Sequence, residues 1–421
     1  MATPTDPVDA ALVLRRDRIR LHAIWLLVIA SVVAWRDGTF YAGGIDPTVV
    51  AKAVLSVIAL GLAWHGFAQA PRRWPIGARS FWIVCAYAVV SGLGGWAVGS
   101  LTASAVLSVR VVLVAVIVVL VLMTHPLSEV IRALFVMMGA VGLLAAVTGA
   151  GSFNRPDRLL TGIPPLSLNQ VALLIAAPLL GLLWRILQGR GRPYDPYLVI
   201  ALAGLSWLTG SRSGLLGLVV AAIVMILQSR RMSSATFVGL VALGAGAVYV
   251  ALSTNLVTHF ITRGDTKTLN NLNSRTIAWS AAFNMHTGFW QHWFGGGYAM
   301  KTIEVTGTFW STQVIDSSWV VAYVQAGVLG MALLALWAST SIVSAFRCPS
   351  PWRMLLTGTM AYCLVRSVLE SGLLDSQALF VMFFTVAVAS EQATRQGREV
   401  PPVDRTDAVG LAPVIPLHAR R

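Results

Sequence analysis

Long apolar runs recur from one end of this chain to the other, and they constrain its fold more than any other feature. Each is about 17–25 residues long, the length an α-helix needs to cross the hydrocarbon core of a bilayer. Only 11% of the residues are charged and 56% are apolar, against roughly 25% charge in a soluble domain. The runs predict an all-α integral membrane protein of about twelve spans. They fall at 21–35, 49–70, 80–98, 103–123, 129–149, 167–187, 196–210, 213–229, 233–253, 316–345, 354–371 and 372–390. Residues 1–20 read as a short basic tail before a retained first span, with no cleavable signal. Spans one to nine fill 21–253, one large loop occupies 254–315, three more spans fill 316–390, and 391–421 read as a Pro-bearing disordered tail.

The arginines set the orientation. Arg15, Arg16, Arg18 and Arg20, then Arg72, Arg73 and Arg79, Arg132, Arg190 and Arg192, Arg230 and Arg231, and Arg347 and Arg353 all fall on one side of such a threading. Positively charged loops stay in the cytoplasm, so both termini are expected inside and the 254–315 loop outside. The net charge of +14 is then mostly topological. No basic stretch is interleaved with soluble structure, so nucleic acid is not an expected partner. Cys85, Cys348 and Cys363 are too few and too scattered for a disulfide framework or a metal site.

Four arginines break the topological bias. Arg110, Arg212, Arg275 and Arg366 fall at or near the outer side. A cation there calls for an anionic partner or ligand. Arg110 lies about 10 Å inside its span by helical rise. Arg212 occupies a tight outer turn in Thr209-Gly210-Ser211-Arg212-Ser213-Gly214. Arg366 stands one turn before Glu370, a spacing that also suits an intrahelical ion pair.

The 254–315 loop is the only sizeable extramembrane segment, and a loop of that length is usually functional or disordered. Its tryptophans suit a headgroup interface. Ser274 reads as the cap of a helix starting at Arg275. Arg275, Trp279 and His286 then share a helical face, since eleven steps return to within about 20° of the start. Gly295, Gly296 and Gly297 suit a plain turn, or else a close backbone approach. Asp316 opens the tenth span as its expected cap. A carboxylate there is equally suited to taking the proton of an attacking hydroxyl, with His286 and Glu304 as other candidate bases. Guanidinium groups grip phosphate oxygens bidentately and stabilise a departing diphosphate. The arginines therefore point to a diphosphate lipid whose tail lies between the spans. No metal motif and no cofactor motif is present in the sequence.

Four stretches resemble the O-antigen ligase and O-antigen polymerase family of bacterial membrane glycosyltransferases. They are Thr209-Gly210-Ser211-Arg212-Ser213-Gly214-Leu215-Leu216-Gly217, Ser274-Arg275-Thr276-Ile277-Ala278-Trp279, Phe294-Gly295-Gly296-Gly297-Tyr298, and Asp316-Ser317-Ser318-Trp319 running on to Gln325-Ala326-Gly327-Val328-Leu329-Gly330. The likeness covers roughly 165–390 in order and spacing. It implies an all-helical membrane fold of the GT-C type in the bacterial inner membrane, with its active site facing outward. It also implies a metal-independent, inverting transfer from a polyprenyl-diphosphate-linked glycan to a glycan, lipid or protein hydroxyl. Arg212 and Arg275 would bind the donor diphosphate, Arg110 and Arg366 would assist, and Trp279, Glu304 and Glu370 would support them. The family's ligases carry a histidine where Asp316 stands, which turns the expectation away from lipid A ligation. A transporter or flippase of lipid-linked or anionic solutes is the alternative reading. It would place its site near mid-membrane on broken helices.

Overall fold

The computed structural model describes residues 7–35, 46–71, 73–152, 162–229, 270–285, 288–304, 312–350 and 352–399. These residues are mostly helical. Helices α1 (Pro7–Val32), α2 (Pro47–Gln69), α3 (Arg79–Ala97), α4 (Leu101–Thr124), α5 (Leu127–Thr148), α6 (Leu168–Leu187), α7 (Asp195–Leu208) and α8 (Arg212–Leu227) come first. After them come α9 (Asn270–Met285), α10 (Phe289–Phe294), strands β1 (Thr302–Glu304) and β2 (Thr312–Val314), α11 (Ser318–Arg347), α12 (Trp352–Leu369) and α13 (Ala378–Glu399). Six of the described helices, α2 to α6 and α11, are long and apolar enough to cross a membrane, and α7 and α8 are shorter apolar helices. The protein is membrane-embedded. The expected span at 233–253 lies outside the described residues.

Helix starts follow the local sequence. Asp46 accepts a hydrogen bond from Val49 N at 2.8 Å and Pro47 fixes the first turn of α2. Ser167 and Ser211 cap α6 and α8 by accepting from Gln170 N and Gly214 N, each at 3.3 Å. α13 is apolar all round over its first turns and forms the centre of the bundle, packed against α3, α4, α6, α11 and α12. Phe380, Phe383 and Phe384 are fully buried there, and Trp337 of α11 meets Phe383 edge-on at 4.6 Å.

Several expected boundaries shift. α1 begins at Pro7, so part of the basic tail is helical. α13 runs on to Glu399, and Glu391 and Gln392 are buried, so the ordered chain continues past 390. The reason is electrostatic: Glu391 accepts from Arg79 N (3.1 Å), Ser80 N (3.0 Å) and Ser80 Oγ (2.6 Å), and so caps the start of α3. Span 372–390 begins later, because 370–377 is a buried non-helical connection before Ala378.

The tenth span is not one straight helix. α11 breaks at Gly327, whose φ is 65°. Gly296 N and Gly297 N donate to the carbonyls of Val324 and Gln325 at 2.8 and 2.9 Å. A Cβ on Gly327 would overlap the Trp293 carbonyl, and one on Gly94 would overlap the Phe294 carbonyl. The glycine run therefore makes a close backbone approach into a broken helix, rather than a plain turn. Polar backbone freed within a membrane helix must find partners inside the protein, and here the glycine amides supply them.

Candidate functional site

The starts of α6, α8 and α11 meet the end of α12 at one end of the bundle, and Glu370 is the residue they share. Its carboxylate accepts from Asn169 Nδ2 at 2.6 Å and from Ser213 Oγ at 3.2 Å. Its main-chain carbonyl accepts from Ser318 N at 3.2 Å and Ser318 Oγ at 2.9 Å. Ser213 is next to Arg212, and Ser318 is two residues past Asp316. Glu370 thus ties the turn that carries Arg212 to the turn that carries Asp316, although the two lie far apart in sequence.

Arg366 is 3% exposed beside this junction. Its guanidinium donates to Asn169 O and, at 3.4 Å, to Tyr362 Oη. A Cβ on Gly214 would sit 3.1 Å from its Nη1, so the glycine lets the guanidinium lie against the first turn of α8. The intrahelical pair between Arg366 and Glu370 does not form. Both residues bond Asn169 instead, Arg366 through its carbonyl and Glu370 through its amide. The outcome is a buried guanidinium beside a helix N-terminus, where both favour an anion.

Arg212 is the first residue of α8 and is half-buried. Asp316 is also half-buried and precedes the start of α11; the cap position belongs to Ser317, which makes no side-chain capping bond. α9 starts at Asn270, so Ser274 and Arg275 lie inside the helix rather than at its cap. Ala278 and Ala282 are buried against Ile303, Ile315, Val320 and Val324, which seats α9 on the first half of α11. Arg275 is one turn before Ala278 in this helix; its side chain and the whole of His286 fall outside the described residues. Trp279 packs partly buried on the same cluster, and its indole N–H is buried without a partner among the described residues. Glu304 ends β1 on its exposed face, with Ile303 turned inward.

Arg110 is seated elsewhere. Its guanidinium donates to Ser31 O at the end of α1. α4 packs against α2, α3, α5 and α13, whereas α8 packs against α6, α7 and α12. Arg366 and Arg212 therefore share a corner that Arg110 does not.

A second polar group borders the site and went unread in the sequence. β1 pairs with β2 through Thr302 opposite Val314, and Ile315 N extends the ladder by donating to Lys301 O at 3.3 Å. Lys301 is thereby brought opposite the residue before Asp316. Its ammonium pairs with the buried Asp375 at 3.3 Å. Tyr298 Oη donates to Leu374 O at 3.2 Å, and Gln325 Nε2 donates to Tyr298 O at 3.2 Å. Burial, reinforced by Tyr87 and Asp375, pushes the Tyr298 phenol well above its usual range and keeps it a donor. The connection from Glu370 to Gln377 is thus a buried strut with an acid near each end. One holds the helix starts and the other holds the hairpin. The only sequence signal was a cluster of polar residues at a boundary read as the join of two spans.

Compared with known proteins, the chain matches no family model and no curated sequence.

Proposed function

We propose that this protein is a polytopic membrane glycosyltransferase of the O-antigen ligase and polymerase kind. It moves a glycan from a polyprenyl-diphosphate donor to a hydroxyl acceptor at the outer leaflet, in assembly of a cell-envelope or exported polysaccharide. In this reading the chain crosses the bacterial inner membrane about twelve times. Both termini are cytoplasmic, and the Glu370 junction faces outward. The observation that carries the reading is that junction: it joins the turns bearing Arg212 and Asp316 beside the buried Arg366.

Arg212 and Arg275 hold the donor diphosphate, with Arg366 adding charge from below. Asp316 accepts the proton of the acceptor hydroxyl, with His286 as the other candidate base. The acceptor oxygen attacks the anomeric carbon as the bond from that carbon to the diphosphate oxygen breaks. The electron pair leaves with the polyprenyl diphosphate, whose charge the guanidinium groups stabilise. The orphaned indole N–H of Trp279 suits a sugar hydroxyl or phosphate oxygen. No cofactor enters this scheme, and the lipid bilayer is the remaining partner.

The broken α11 favours the second reading, a transporter of lipid-linked or anionic solutes. Against it, the carbonyls of Val324 and Gln325 at the break already accept from Gly296 N and Gly297 N.

The test follows glycan transfer and polyprenyl-diphosphate release by protein reconstituted in lipid with a labelled donor and an envelope extract. Wild type turns over, and Arg212→Lys loses about 10²–10³-fold in rate, as for removal of a donor that stabilises transition-state charge. Donor binding without turnover across several acceptors would instead support the transporter.

A further inference from the structure

At the end of the bundle opposite Glu370, a groove of about 420 Å³ runs between α1 and α5. Arg15, Arg18, Ile19, His22, Ala23 and Leu26 line one wall, and Met137 of α5 lines the other. The α1 residues follow the 3–4–3–4 spacing of a single helical face. Along that face the chemistry changes in order. Arg15, Arg18 and His22 stand toward one end of the groove, and Ala23 and Leu26 follow them, with Ile19 61% and Leu26 46% exposed. From Arg15 to Leu26 the helix rises about 16 Å, close to half the thickness of the hydrocarbon core.

The internal partners of these cations are few. Arg20, on another face, is paired with Asp17 at 2.9 Å and packs on Gly66 of α2. Among the described residues, the Arg18 guanidinium has one long contact, 3.9 Å to the half-buried Glu129 of α5, and is itself largely solvent-facing. Such a pair contributes little. His22 Nδ1 donates to Arg18 O at 2.7 Å, which leaves Nε2 of the neutral ring as an acceptor for an outside hydroxyl.

We infer that this groove is a binding site for an anionic phospholipid of the leaflet at that end, with the phosphate between Arg15 and Arg18, a headgroup hydroxyl at His22 and one acyl chain along Ile19, Ala23, Leu26 and Met137. Charge complementarity selects the headgroup, and the apolar wall that runs on through Ile19, Ala23 and Leu26 selects a lipid over a soluble anion. The site is remote from the Glu370 junction and stands whether or not the transferase reading does.

Native mass spectrometry of the detergent-purified full chain tests it, by titration with phosphatidylglycerol or phosphatidylcholine carrying the same acyl chains. Wild type retains phosphatidylglycerol preferentially. Arg15→Gln and Arg18→Gln each weaken that retention about five-fold, with phosphatidylcholine unaffected. Ala23→Trp, which fills the groove and leaves the cations in place, also removes the preferential retention. Should Ala23→Trp misfold, Leu26→Trp at the exposed rim makes the same block. Excess inorganic phosphate leaves the lipid bound. Equal retention of the two lipids, indifference to either class of variant, or full displacement by inorganic phosphate would overturn the proposal.

Discussion

Glu370 and Glu391 sit at opposite ends of the bundle, and each holds the first turn of a neighbouring helix. Glu391 serves one helix: two amides and a hydroxyl of α3 reach its carboxylate, and the Arg79 guanidinium adds a contact at 3.5 Å. Its neighbourhood is satisfied from within, with Trp337 Nε1 bonding Ser80 Oγ at 3.0 Å and Arg395 bonding Ile76 O. Glu370 instead serves three helix starts, those of α6, α8 and α11. The Arg366 guanidinium beside it donates to neutral oxygens, Asn169 O and Tyr362 Oη. An acid fully occupied by its own helix is a staple. An acid that gathers several helix starts beside a buried guanidinium is a shared junction, the place where the proposed donor site is built.

That contrast can be broken by experiment. Glu370→Ala should lower glycan transfer about 10²-fold per folded molecule, because a small misplacement of Arg212 against Asp316 is enough to do so. Gly327→Ala should come next, at about 2–5 kcal/mol of stability, since it combines a left-handed backbone with overlap at the Trp293 carbonyl. Thermal unfolding in lipid reads it, and a wild-type melting curve would mean that the junction yields without cost. Glu391→Ala should cost about 2–3 kcal/mol through lost charge-assisted hydrogen bonds. Its turnover per folded molecule should match wild type. If Glu370→Ala and Glu391→Ala divide their effects alike between stability and turnover, the distinction between the two ends is lost.

The sequence was most legible where one physical rule dominates. Apolar length alone located α2 to α6 and α11, whereas the caps Ser167 and Ser211 went unread. It was least legible where contacts join distant segments. A glycine in a mostly apolar stretch such as 318–347 does not announce a break, because glycine is common in membrane helices and the partner amides lie 28 residues away. Asp375 gave no sign of Lys301, since their pairing depends on the hairpin register. Local spacing misled at Arg366 and Glu370, where i and i+4 suggested a pair but Asn169 of α6 competes for both. Spacing also set Arg110 beside the other arginines by depth in the membrane, a coordinate that does not report which neighbours a helix has.

The central claim is that Arg212 and Asp316 act in one site built on Glu370. A double-mutant cycle on Arg212→Lys and Asp316→Asn, read as single-turnover transfer from a polyprenyl-diphosphate glycan, tests it most directly. Residues of one site give a double variant far more active than the product of the two single losses, because either change alone already disables the step. Strictly multiplicative losses, or full activity in either single variant, would contradict the account.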